Sequence, residues 1–146
     1  ARVVGGAVRN TLIGAPPGDI DIATTALPRE VMRRVEAAGF KAVPTGIEHG
    51  TITVVADGRP FEVTTLREDI ETFGRLAKVA FGRDWRRDAE RRDFTMNALS
   101  ASRDGTMSPS GVLWESVRDV VKPNAPARRA SIVSLRISAM ISSIRS

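Results

Sequence analysis

The sequence predicts an α/β fold in which a small mixed sheet is flanked by helices. Two stretches support this prediction most strongly. Residues 19–43 show the pattern of a strand, a helix and a second strand. Residues 51–66 hold two β-rich runs joined by Asp57-Gly58, and an Asp-Gly pair between such runs is the strongest short-range hairpin signal.

Size and composition limit the class of protein. The 146 residues suffice for one domain with a sizeable core, and 42% hydrophobic with 27% charged residues is ordinary for a globular protein. No apolar run approaches the ~18 residues of a membrane span, and the absence of cysteine excludes disulfides and cysteine–zinc sites. Because no secretory signal is visible, we expect a cytoplasmic protein. Because Ala1 leads directly into an apolar stretch, we expect the natural N-terminus to lie upstream.

The net charge of +5 is concentrated at one end of the chain. Residues 120–146 hold five basic residues and no acidic one, while the preceding residues are balanced. A basic tail suits a polyanion such as RNA, but it equally suits a truncated segment without a partner.

The first element is a short strand ending at residues 3–4, followed by a turn at Gly5 and Gly6. Residues 7–13 then favour a short helix, which Gly14 ends.

The next unit begins with polar–apolar alternation over residues 19–23, which is typical of a half-buried strand. Thr24 or Thr25 is expected to cap the following helix, Pro28 suits its first turn, and Gly39 ends it. The apolar stripe of this helix is Val31, Met32, Val35 and Ala38.

Further strands are predicted at residues 40–43, 51–56 and 60–66. Residues 67–84 are charged and contain glycines, so they predict an exposed loop. Residues 85–99 favour helix, either one or two short ones, and residues 101–107 favour a last strand.

Asp19 and Asp21 are the first candidates for chemistry. Side chains two apart on a strand share a face, with Cα atoms roughly 6.5–7 Å apart. Two adjacent carboxylates repel unless a cation lies between them, and hard oxygen ligands suit Mg²⁺. Ile20 and Ile22 would point to the core. Alone, such a pair is more often a solvated strand face.

Gly5, Gly6 and Arg9 are candidates for binding phosphate. Glycines before a helix allow backbone N–H groups to approach an anion, and Arg9 follows one turn later. The alternative is an ordinary turn with a surface arginine. The dinucleotide fingerprint is excluded because its third glycine is missing.

Together, a phosphate-binding turn and a carboxylate pair satisfy the needs of nucleotidyl transfer, in which two metals about 3.5–4 Å apart align the reactants. Glu62 is the candidate third carboxylate, because it interrupts an otherwise apolar strand. The alternative places Glu62 at a sheet edge facing water.

In a helix over residues 91–99, Asp93 and Asn97 share a face and Arg92 reaches a triphosphate or RNA. That face could instead be merely solvated.

Five motifs occur in order and resemble the head domain of class II CCA-adding enzymes and bacterial poly(A) polymerases, which are polymerase-β-type nucleotidyltransferases. The motifs are GGAVR at 5–9, DIDIAT at 19–24, EHGT at 48–51, EVTTLR at 62–67 and RRDFTMNAL at 91–99. The resemblance spans about residues 2–100. It implies a polymerase-β-type head whose small mixed sheet is flanked by helices.

The resemblance also implies roles. Asp19 and Asp21 would hold the Mg²⁺ ions, with Glu62 as third catalytic carboxylate. The nucleotide would be bound by Gly5, Gly6, Arg9, Arg92, Asp93 and Asn97. Residues 67–75 resemble the flexible loop that matters in switching from C to A addition. His49, the single histidine, resembles a structural residue at a strand start.

The sequence departs from the family at several positions. Asn10 replaces an aspartate, which removes a charge beside Arg9 and is expected to loosen its position. Residues 108–111 differ from the family's Asp-Pro-Gly-Gly-type turn, and Ile132-Val133 replaces an acidic pair. Arg136 is then the one remaining residue of the base-selecting set. We therefore expect a head at residues 1–107 and a degenerate, truncated neck at 108–146.

The predicted function is Mg²⁺-dependent addition of CMP and AMP, from CTP and ATP, to the 3′ end of tRNA or another RNA. The alternative is a catalytically impaired remnant that binds nucleotide or RNA without turnover. A third, less favoured possibility is transfer to a protein or small molecule. CCA addition and poly(A) addition remain unseparated.

Overall fold

The computed structural model describes residues 1–69, 79–90, 92, 98–103 and 106–108. Its strands are β1 Arg2–Val4, β2 Asp21–Thr24, β3 Lys41–Gly46, β4 Thr51–Ala56, β5 Arg59–Thr65, β6 Arg67–Asp69, β7 Val79–Phe81, β8 Ser100–Ala101 and β9 Met107–Ser108. Its helices are α1 Gly6–Leu12, α2 Pro28–Ala37 and α3 Trp85–Glu90, with a 3₁₀ turn at Ile47–His49.

In the described part of the chain, seven strands form one mixed sheet in the order β3-β4-β5-β2-β1-β8-β9. The pairing of β2 with β5 is parallel, whereas the other pairs are antiparallel. The crossover between β2 and β5 contains α2, which covers one face of the sheet. The α/β fold with a mixed sheet is therefore confirmed.

The hairpin between β4 and β5 forms at the predicted turn. Asp57 and Gly58 both have positive φ, at 53° and 74°, which is the geometry that a two-residue primed turn requires. The alternation in β4 continues through the strand, with Ile52, Val54 and Ala56 buried.

The core lies between α1, α2 and one sheet face. Val31 and Val35 of α2 are buried as predicted, whereas Ala38 lies exposed at the C-cap. The predicted threonine cap is wrong. Leu27 precedes the helix without a side-chain hydrogen bond, and the Thr24 hydroxyl instead accepts from the backbone N–H of Ala26 at 3.1 Å.

Three predicted elements differ in the structure. Residues 67–84 are not simply a loop, because β6 and β7 pair as a two-stranded sheet. Of the predicted helix at 85–99, residues 85–90 form α3 and residues 98–99 lack helical structure, while residues 91 and 93–97 lie outside the described part of the chain. In place of one strand at 101–107, β8 and β9 form a hairpin.

Among the residues described above, no helix is long and apolar enough to cross a membrane.

Candidate active site

Asp21 and Glu62 are direct neighbours across the parallel pair of β2 and β5. They are register partners, and both are exposed, whereas the residues that follow them, Ile22 and Val63, are buried in the core. Alternation along each strand thus directs the apolar side chains toward the helices and both carboxylates to the opposite face. Glu62 lies in a central strand, so the sheet-edge alternative is wrong.

Asp19 lies outside the strand that was predicted to contain it. Strand β2 begins at Asp21, the register partner of Val4, and Asp19 occupies an exposed bend before it. The strand argument for two carboxylates on one face therefore applies to Asp21 and Glu62, with Asp19 approaching from the loop. Ile20 and Ile22 do pack against the core, as predicted.

The carboxylates influence one another. The pKa of Asp21 is raised above its ordinary value of 3.8, mainly by partial burial in the floor of a concave site. The negative charges of Glu62 and Asp19 raise it further, and the positive charge of Arg92 opposes them. The cluster thus carries excess negative charge that a cation would relieve.

We expect Asp21→Asn to stabilise the metal-free protein by about 0.2–1 kcal/mol at neutral pH, since it removes repulsion at a partly exposed site. Because folding raises the pKa of Asp21, its ionised side chain lowers the free energy of unfolding above the folded pKa. Below pH 3.8 the side chain is protonated in both states and this effect is absent. The gain should therefore vanish as pH falls below 3.8. Urea unfolding of both proteins with EDTA across this range measures it, and an equal difference at every pH would contradict this explanation.

The carboxylates fit Mg²⁺ in donor chemistry. Among the described residues, no three His, Asp or Glu side chains are gathered closely enough to form a complete metal cluster. Mg²⁺ commonly keeps several waters and binds through one or two carboxylates plus substrate phosphates. Asp21 and Glu62, with Asp19 nearby, are therefore suitable ligands for an ion that arrives with a nucleotide.

The turn before α1 uses glycine for its backbone conformation. Gly5 has φ 72°, which favours glycine, and its N–H donates to the carbonyl of Leu99 at 2.9 Å. That N–H is thus already engaged in holding β1 near β8. Among Gly5, Gly6 and Arg9, only Arg9 has a side chain that can bind phosphate.

Asn10 fixes Arg9 despite the missing charge. Its amide oxygen accepts from Arg9 Nε and Nη2, at 3.0 and 2.9 Å. Its amide nitrogen donates to the carbonyls of Pro16 and Pro17, at 3.2 and 3.5 Å. Asn10 therefore connects Arg9 to the loop that leads to Asp19, and its amide oxygen supplies an acceptor to Arg9 without a charge.

For the nucleotidyl transfer predicted from the sequence, we expect Asn10→Ala to raise the KM for the predicted substrate CTP about three- to tenfold with a smaller effect on kcat, because the truncation removes hydrogen bonds to a charged group. Steady-state incorporation measures both constants. Asn10→Asp keeps the acceptor for Arg9 but lacks the donor to Pro16 and Pro17, so a KM close to that of the wild type is expected if the Arg9 contact is the one that matters. An unchanged KM in Asn10→Ala would show that Arg9 does not depend on this contact.

A cleft of about 400 Å³ lies over the carboxylates. Its lining includes Thr64 and Arg67, which belong to the EVTTLR motif but were given no site role, and Asp88, which the sequence did not single out. Arg67 Nη2 donates to the Thr51 hydroxyl at 3.4 Å, and that hydroxyl lies 3.2 Å from the hydroxyl of Thr64. The position of Thr64 in the cleft follows from the sequence, because it lies two residues after Glu62 in the same strand and so shares its face.

Arg92 enters the same cleft, as its predicted role requires. Its Nε and Nη2 donate to Asp88 Oδ2, at 3.3 and 3.0 Å. Helix α3 is held nearby by Trp85, which packs against Val4, Ala23 and Leu66. The Arg2 guanidinium lies 4.3 Å from the centre of the Trp85 ring, a cation–π contact.

Most of the remaining predicted residues lie outside the described part of the chain, and His49 does not line the cleft. Asp93, Asn97, Arg136, residues 70–78 and residues 109–146 lie outside the described part of the chain. His49 is exposed in the 3₁₀ turn before β4 and is absent from the cleft lining, which is compatible with a structural role.

The fold and the paired carboxylates define a polymerase-β-type nucleotidyltransferase head. The chain belongs to the poly(A) polymerase head domain family, whose model matches residues 1–124.

Individual relatives agree with this assignment. The chain is 52% identical over 107 residues to a CCA-adding enzyme of Bacillus cytotoxicus, covering 72% of this chain and 26% of that protein. It is 43% identical over 137 residues to mitochondrial CCA tRNA nucleotidyltransferase 1 of Danio rerio, covering 93% and 31%.

A solved structure gives the same result. The crystal structure of the Bacillus stearothermophilus CCA-adding enzyme in complex with CTP superposes with a TM-score of 0.66 at 43% identity. That match covers 80% of this chain and 27% of that one. The chain thus spans about a quarter to a third of the relatives that it matches.

Proposed function

We propose that this chain is the catalytic head of a Mg²⁺-dependent RNA nucleotidyltransferase that adds CMP and AMP to a tRNA 3′ end in the cytoplasm. The observation that carries the proposal is the register pairing of Asp21 with Glu62 on the floor of the cleft, with Arg92 beside them. The names of the relatives and the CTP in the related crystal structure support tRNA, CTP and ATP as substrates.

In the proposed reaction, the RNA 3′-hydroxyl oxygen bonds to the α-phosphorus of the nucleoside triphosphate. The bond from that phosphorus to the bridging β-phosphate oxygen breaks, pyrophosphate leaves, and the hydroxyl proton passes to solvent. Asp19, Asp21 and Glu62 would hold Mg²⁺, which when bound neutralises phosphate charge. Arg9 and Arg92 would orient the triphosphate, so that electrostatic stabilisation and alignment provide most of the rate.

We further propose the roles and boundaries that the structure leaves open. Gly5 and Gly6 would let the triphosphate approach the backbone closely. Asp93 and Asn97 would contact the nucleotide, and Arg136 would select its base. Residues 1–107 would form the head and residues 108–146 the start of the neck.

The test is incorporation of radiolabelled CTP and ATP into a tRNA that lacks its CCA end. We expect MgCl₂-dependent extension by C and A that EDTA stops, with products resolved to single nucleotides on a gel. A parallel reaction with a poly(A) primer separates CCA addition from poly(A) addition. No incorporation by a protein shown to be folded by circular dichroism would overturn the proposal for this chain.

A further inference from the structure

Asp88 is a buried acidic residue that the proposed reaction does not use. It lies in α3 with only 4% of its surface exposed, next to the buried Ala89. A carboxylate is costly to bury unless charged or hydrogen-bonding partners compensate it. The hydrogen-bond donors to Asp88 therefore indicate why an acidic residue occupies this position.

The two oxygens of Asp88 have different partners. Oδ1 accepts from the backbone N–H of Arg67, at the start of β6, at 3.2 Å. Oδ2 accepts from Nε and Nη2 of Arg92, two residues after the end of α3, at 3.3 and 3.0 Å. The first contact connects α3 to the start of β6, and the second holds the fork of the guanidinium.

The held guanidinium lies where an anionic ligand is expected. Asp88, Arg92, Asp21 and Glu62 all line the same cleft. The Asp88 side chain is 6% exposed and the Arg92 side chain 26%, so the acid is the more deeply buried member of the pair. Arg92 therefore presents the more accessible part of the pair to the cleft.

We propose that Asp88 is a positioning residue that aims the Arg92 guanidinium at the phosphates of a nucleoside triphosphate in the cleft. The inference rests on the proposed function for the identity of the ligand. It assigns Asp88 a specific part in nucleotide binding, beyond docking α3.

The two contacts can be separated by substitution. Asp88→Asn, with its amide oxygen toward Arg67, keeps an acceptor for the backbone N–H but replaces the acceptor for Arg92 by a donor. Asp88→Ala removes both contacts. A residue that only docks α3 would tolerate the asparagine and not the alanine.

The test is a double-mutant cycle on binding of Mg²⁺-CTP, measured by isothermal titration calorimetry without RNA. We expect Asp88→Asn and Arg92→Ala each to weaken binding about tenfold, and the double variant to bind no worse than Arg92→Ala. Wild-type affinity in Asp88→Asn, or multiplicative losses in the double variant, would overturn the proposal. Absence of CTP binding by the wild type would also overturn it.

Arg92→Lys provides a check that leaves Asp88 intact in case Asp88→Asn does not fold. Lysine keeps the charge but lacks the planar fork that Asp88 holds. Binding nearly as weak as in Arg92→Ala supports positioning, whereas wild-type affinity would contradict it. CTP binding without incorporation into tRNA would overturn the proposed function alone, because the cycle needs no turnover.

Discussion

Replacing both Asp19 and Asp21 by alanine is expected to reduce nucleotide incorporation by more than about 10³-fold, because charge stabilisation at the reacting phosphate is usually the largest catalytic contribution. The variant would lose Asp21 from the cleft lining and Asp19 from the bend that precedes β2, which are two of the three proposed Mg²⁺ ligands. Asp21 is the register partner of Glu62, so its loss also leaves Glu62 without the acid beside it. The effect should fall on kcat, since the chemical step depends on these groups.

Single-turnover incorporation of CMP into tRNA lacking CCA, at saturating CTP, measures this change. Glu36→Ala is a matched control, because it removes an exposed carboxylate from α2 and leaves the cleft lining unchanged. Both variants should keep the wild-type circular dichroism spectrum. Residual activity within tenfold of the wild type in Asp19→Ala/Asp21→Ala would place the chemistry elsewhere.

Features that depend on local chemistry could be predicted from the sequence. Asp57-Gly58 specifies its hairpin because both residues accept positive φ. The outward direction of Asp21 and Glu62 follows from strict alternation with Ile22 and Val63.

The start of β2 was misplaced because alternation does not show where a neighbouring strand ends. Residues 19–23 alternate throughout, but the strand requires a hydrogen-bonded partner. Strand β1 ends at Val4, the partner of Asp21, so the pairing between these two strands stops there. The position of Asp19 therefore depends on the length of another strand, which its own sequence does not contain.

Pairing between distant segments is the other feature that local pattern cannot supply. Strand β6 consists of three charged residues and β7 of three apolar ones, and each gains regular structure by pairing with the other. Asp88 lies in a helix rich in charged residues, where an acid is normally solvated. Its burial follows from the docking of α3 against β6, so neither Asp88 nor its hold on Arg92 was visible in the sequence.

The second large effect concerns the strand that carries Asp21. We expect Ile22→Ala to lower the free energy of unfolding by about 2–5 kcal/mol, because it leaves a cavity at a side chain only 1% exposed. Ile13→Ala is the matched control. The same atoms are removed from a side chain 60% exposed after α1, so the change should stay within about 0.5 kcal/mol.

Urea unfolding monitored by circular dichroism compares the two variants. Domains of this size are typically stable by only about 5–15 kcal/mol, so Ile22→Ala would lose a large fraction of that margin. Ile22 anchors the strand from the face opposite the carboxylates, so its side chain contributes to stability without contacting a ligand at the carboxylates. Equal losses in both variants would mean that burial of Ile22 does not hold β2, and hence Asp21, in place.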